Sequence, residues 1–172
     1  MNKILGLVSA SIVLLSGGNG AISQIAPTTV NAKVEIAEAT AKTILPDNLV
    51  VEKLATGFKF TEGPLWTREG YLIFSDIPAN AIYRLDPDGK TSVFLENSGY
   101  LGEAPAKGAR GSNGITYDRE GNIIFTQHGD RAVVRLTRDG KKEKIVASYD
   151  GKRLNSPNDL VVKSNGAIYF TN

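Results

Sequence analysis

From Val50 onward, apolar residues come in short runs separated by turns that carry glycine. Tyr71–Phe74, Ile123–Phe125 and Ala167–Phe170 are rich in β-formers. Each follows a turn of one kind: Arg68-Glu69-Gly70, Arg119-Glu120-Gly121 and Ser164-Asn165-Gly166. Asp86-Pro87-Asp88-Gly89 and Thr137-Arg138-Asp139-Gly140 are further hairpin signals, because Gly supplies the positive φ that tight turns need. No stretch of this region repeats its apolar positions at helical spacing. The pattern predicts strands at Gly63–Trp66, Leu72–Asp76, Ala81–Leu85 and Thr91–Leu95. It predicts a second set at Ile115–Tyr117, Ile123–Gln127, Ala132–Leu136 and Lys144–Ala147. A third set stops after its second strand.

These sets are copies of one unit. Thr61-Glu62-Gly63 lies over Ser112-Asn113-Gly114, Gly70 over Gly121, and Phe74 over Phe125; Pro157-Asn158-Asp159, Gly166 and Phe170 form the next copy. Glu62, Asn113 and Asn158 therefore share one slot, spaced by 51 and then 45 residues. That period is near the length of a four-stranded propeller blade. The fold class expected is all-β, a partial six-bladed β-propeller of about two and a half blades. A complete six-bladed ring would need roughly 150 more residues at this period. The chain reads as the N-terminal part of a longer protein, with open sheet edges and, as it stands, no substantial activity.

The first third of the chain carries a different pattern. Lys3, the uncharged apolar stretch Ile4–Leu15 and the break Gly17-Gly18-Asn19-Gly20 fit a secretory signal peptide, too short to span a bilayer comfortably. Residues 1–26 are assigned to it, with cleavage between 21 and 32. An uncleaved membrane anchor is the alternative. Residues 27–48, rich in Ala, Thr and Val, read as a linker, and residues 49–172 as the propeller blades. The location expected is periplasmic or secreted, without stable membrane association after cleavage. The chain has no cysteine, which excludes a disulfide framework, thiol chemistry and a lipoprotein anchor. A net charge of +2, with no basic cluster interleaved with aromatics, argues against a nucleic-acid partner. Lys141-Lys142-Glu143-Lys144 reads as a solvated hairpin tip.

Equivalent positions in a radial repeat become equivalent positions in space. Three side-chain oxygens would then point at one axis, which is a way to build a cation site. A carboxylate with amide oxygens is a hard donor set suited to one divalent cation, with Ca²⁺ first, then Mg²⁺ and Mn²⁺. Zn²⁺ suits it less, since no His or Cys occupies the slot. Taken singly, Glu62 also reads as a solvated strand-end carboxylate, and Asn113 and Asn158 as turn residues. His128, the only histidine, either lines the channel or satisfies backbone groups at a strand end. Asp159 reads as a backbone-capping carboxylate, and Trp66 and Tyr117 as blade packing. Asn97–Gly111, long and Gly-rich, is either a lid or an insertion.

Glu62-Gly63-Pro64-Leu65-Trp66, Ser112-Asn113-Gly114-Ile115, Gln127-His128-Gly129 and Gly151–Val162 resemble the gluconolactonase branch of the family shared with senescence marker protein and luciferin-regenerating enzyme. The resemblance runs from about Gly57 to Asn172. It implies a six-bladed propeller with a divalent cation in its channel and hydrolysis of a small-molecule lactone. It makes Glu62 and Asn158 metal ligands and places Asn113 against substrate. Family members often carry a substrate-binding Arg near the position of Arg110, which otherwise reads as a solvent-facing arginine. His128, read from the chain itself, is a further substrate-binding candidate. The family's Asp, both ligand and catalytic base, lies in a later blade, so no catalytic residue is assigned here. A non-catalytic propeller that binds a ligand or partner on its face is the competing reading.

Overall fold

The structure is a computed structural model and describes residues 23–30, 43 and 50–172. Most of the expected leader and linker lies outside the described residues. The exception is β1 (Ser23–Val30), which straddles the boundary drawn between them and pairs antiparallel with β2 (Val51–Thr56). The propeller follows. The first unit is β3 (Thr61–Trp66), β4 (Leu72–Asp76), β5 (Ala81–Leu85) and β6 (Thr91–Glu96), hydrogen-bonded in sequence order. The second is β7 (Ser112–Tyr117), β8 (Ile123–Gln127), β9 (Ala132–Leu136) and β10 (Lys142–Val146). A short ribbon, β11 (Ser148–Tyr149) and β12 (Lys152–Arg153), leads to β13 (Leu160–Val162) and β14 (Ile168–Phe170), which open the third unit.

The same turn closes the first hairpin of every unit. Thr67 N–H donates to Tyr71 O, Asp118 N–H to Asn122 O, and Lys163 N–H to Ala167 O. The inner strands start earlier than the apolar runs suggest, because Thr61 pairs with Asp76 and Ser112 with Gln127.

Strand periodicity stacks the units. Successive side chains face opposite sides, so Ile73 and Ile82 of the first sheet meet Ile115, Phe125, Ala132 and Val134 of the second. Phe74 and Tyr83 face the other way and pack on Ala55 of β2 and on Phe58 just after it. Ile124 and Val133 face on to Leu160 of the third unit. Each large apolar side chain so buried contributes about 1.5–3 kcal/mol.

Arginines also bridge the units. Arg68 N–H donates to the Tyr117 hydroxyl at 3.3 Å, its guanidinium lies 4.9 Å from the centroid of that ring, and it covers Gly121. Arg119 lies over Gly166 in the same way. Tyr117 thus packs between units as expected. Trp66, in the same repeat position, does not: it is 62% exposed, and no described residue does for it what Arg68 does for Tyr117. The hairpin-tip reading holds for Lys141, which pairs with Glu143 at 3.4 Å, but not for Lys142. Its ammonium is partly buried and donates to Asn97 O at 2.9 Å and to Tyr100 O. Burial there lowers its pKa, and the contacts fasten the start of the Asn97–Gly111 loop.

Candidate functional site

Glycine sets how closely the inner strands approach. Gly63 follows Glu62 at φ 55, and a Cβ built there would lie 2.2 Å from Asn113 O. A Cβ on Gly114 would lie 2.5 Å from Asp159 Oδ1 and 3.0 Å from Asn158 O. With no side chain at these positions, the slot of one unit lies directly against that of the next.

A repeated latch fixes the contact. Ser75 Oγ donates to Asn113 O at 2.8 Å, and Thr126 Oγ1, its repeat equivalent, donates to Asn158 O at 2.6 Å. Gly114 N–H donates to the same Asn158 carbonyl at 2.9 Å. The backbone at the second and third slots is therefore held while the side chains stay available. Glu62 and Asn158 are exposed, and among the described residues neither side chain has a hydrogen-bond partner. Asp159 caps its own strand, accepting Leu160 N–H at 2.8 Å, as expected.

Asn113 is buried at 3% exposure, and its Nδ2 lies 3.2 Å from His128 Nε2. Burial, then the charge of Arg110, lowers the pKa of His128 below the usual 6.5. The imidazole is therefore neutral at pH 7, with Nε2 accepting from Asn113. That bond uses the amide nitrogen and leaves Oδ1 of Asn113 free. Arg110 itself is exposed and lines an open cleft of about 710 Å³ between the Asn97–Gly111 loop and the turn Ile77–Ala79. The structure thus joins Asn113 and His128 by a hydrogen bond and places Arg110 in the loop beside them, next to Gly111, whose carbonyl accepts His128 N–H. It sets Glu62 on β3 and Asn158 just ahead of β13, on either side of the strand that carries Asn113.

The His128 environment has a pH signature. An unfolded chain takes up this proton more readily than the folded one, so stability rises with pH through the window between the two pKa values. The contribution is complete above about pH 6.5 and falls as pH drops towards the lowered folded value. Urea denaturation between pH 5 and 7.5 is expected to show this slope, and His128→Asn to flatten it.

The donor set fits a hard cation. Glu62 supplies a carboxylate, Asn158 an amide oxygen, and the free Oδ1 of Asn113 stands between them in the repeat. Among the described residues no three His, Cys, Asp or Glu gather into a metal cluster. One carboxylate would leave a divalent ion under-neutralised and hence a strong Lewis acid.

A family model described as the SMP-30/gluconolactonase/LRE-like region matches residues 60–172. The chain belongs to that family. A gluconolactonase from Zymomonas mobilis is 39% identical over 132 residues, covering 74% of this chain and 37% of the relative. A solved gluconolactonase from Xanthomonas campestris superposes with a TM-score of 0.72 at 28% identity, over 87% of this chain and 47% of its own. A solved putative gluconolactonase gives a TM-score of 0.58 at 32% identity, over 69% and 38%. The family member described here thus spans less than half the length of each of these relatives. Its all-β units are consecutive blades of their propeller.

Sequence reasoning missed one set of side chains. Asp76 and Gln127 end the second strands of their units, and Asn172 follows β14 at the same repeat position, each two residues beyond the aromatic where the repeat is aligned. Asp76 is 2% exposed and accepts Lys59 N–H at 3.0 Å and Phe60 N–H at 3.1 Å. Extending the alignment to these residues exposes the pattern: a hydroxyl residue (Ser75, Thr126, Thr171), then a side chain with an acceptor oxygen.

Proposed function

We propose that the full-length protein is an exported, divalent-cation-dependent hydrolase that opens a sugar-type lactone. The observation that carries this reading is the shared slot: Glu62 on β3 and Asn158 just before β13 keep free oxygens on either side of Asn113, within a family that includes a relative described as a gluconolactonase. Glu62 and Asn158 would hold the ion, with Ca²⁺ the best match to their hard oxygens. A bound divalent ion would supply Lewis acidity at the lactone carbonyl.

The chain's own groups do the rest. Asn113 presents Oδ1 to a substrate hydroxyl, and neutral His128 holds the amide in that orientation through its Nε2. Arg110, exposed in the loop beside them, faces the carboxylate that ring opening creates, where a guanidinium binds well. No described residue is assigned the role of general base.

The test is hydrolysis of glucono-δ-lactone by the full-length protein, with and without chelator. We expect chelation to lower the rate at least about 100-fold and added Ca²⁺ to restore it. A chelator-insensitive rate would contradict the cation. Tight lactone binding without turnover would favour a binding propeller.

A further inference from the structure

We propose that Asp76 and Asn172 are positioning residues that fix the two ion-binding slots from behind. This rests on the reading of Glu62 and Asn158 as ion ligands. Asp76 takes the N–H groups of Lys59 and Phe60, which stand three and two residues before Glu62. Asn172 Oδ1 takes Asn155 N–H at 2.8 Å and Ser156 N–H at 3.1 Å, three and two residues before Asn158. The same pair of backbone donors, at the same offset from the slot, is thus bound by the same repeat position in two units.

The middle unit is the informative exception. Gln127 occupies the equivalent position, yet its Nε2 donates to Ser98 O at 2.8 Å and its Oε1 is buried without a partner. Arg110 N–H goes instead to the Tyr100 hydroxyl, and Gly111 N–H to Ile77 O. The clamp is therefore present at both slots assigned to the ion and absent at Asn113, the slot assigned to substrate.

The clamp fixes the backbone entering the slot, and hence the place from which the ligand side chain projects. A cation needs its donors within a few tenths of an ångström, so loosening that backbone weakens binding without removing a ligand. Asp76 is buried at the end of β4, between β3 and β5, with no cation paired to it among the described residues. Two backbone N–H groups are what this carboxylate holds.

Calorimetric titration of the full chain with Ca²⁺ alone, paired with thermal melts in chelator, tests this. Asp76→Ala is expected to weaken Ca²⁺ binding about 10- to 100-fold. Asp76→Asn should stay within about threefold of the parent, because Asn172 shows that one amide oxygen can hold both donors. An Asp76→Ala protein that melts lower but binds Ca²⁺ as the parent does would overturn the proposal, reducing the clamp to a structural brace. If Asp76→Ala does not fold, Asn172→Ala decides: at least about tenfold weaker binding supports the proposal, and unchanged binding overturns it. Glu62→Gln separates the two levels. If it leaves Ca²⁺ binding intact, the ion-site reading itself fails; if it weakens binding and the clamp variants do not, only the positioning role fails.

Discussion

Glu62→Gln is expected to lower lactone hydrolysis by the full-length protein about 10²- to 10³-fold while leaving its melting temperature in chelator unchanged. Both halves follow from the environment of the side chain. Glu62 is the only acidic member of the proposed donor set, and the amide keeps its shape while removing its charge. Loss of one preorganised electrostatic contributor in an active site typically costs that much rate. The side chain is exposed and has no hydrogen-bond partner among the described residues, so the fold loses nothing from the change; such substitutions usually stay within about 0.5 kcal/mol. Kinetics beside a chelator-treated melt would show activity lost with the fold kept. A variant with normal turnover would remove Glu62 from the chemistry.

Gly63→Ala should do the reverse, weakening the fold before any chemistry is at issue. The residue stands at φ 55, and its added Cβ would meet Asn113 O at 2.2 Å and Gly114 Cα at 2.9 Å, both backbone atoms that a rotamer change cannot move. The left-handed conformation costs about 1–2 kcal/mol, and forcing β7 outward about 1–3 kcal/mol more. A total of about 2–5 kcal/mol is a large part of the 5–15 kcal/mol that holds a typical domain together. Gly70→Ala is the control: φ is 88 there, but a Cβ would meet nothing within 4 Å. It should cost only the conformational part, about 1–2 kcal/mol. Urea midpoints for the two variants measure the difference. Equal losses would mean that the inner strands do not need the close approach seen here.

The fold was legible where local rules suffice. Leu72–Asp76, Ala81–Leu85, Ile123–Gln127 and Ala132–Leu136 are strands with the bounds expected, because each is a short apolar run between turn residues. β10 begins at Lys142 rather than Lys144, since Lys142 and Glu143 pair with Leu136 and Arg135 straight out of the turn. No apolar pattern marks two charged residues as strand. β1 and β2 were missed because their pairing is long-range, and one partner lay in a stretch whose composition resembles a linker. The slot of Glu62, Asn113 and Asn158 was visible through repeat register alone. Its supports were not: the bond from Asn113 to His128 joins β7 to the turn after β8, and the Asp76 clamp acts on backbone groups that carry no sequence signature.

The most direct measurement is diffraction from crystals of the full-length protein grown with Mn²⁺ in place of Ca²⁺, located by its anomalous signal. One peak bonded to both the Glu62 carboxylate and the Asn158 Oδ1, at distances near 2.2 Å, is the result predicted here. A peak bonded to only one of them, or none between the inner strands, would contradict a shared ion.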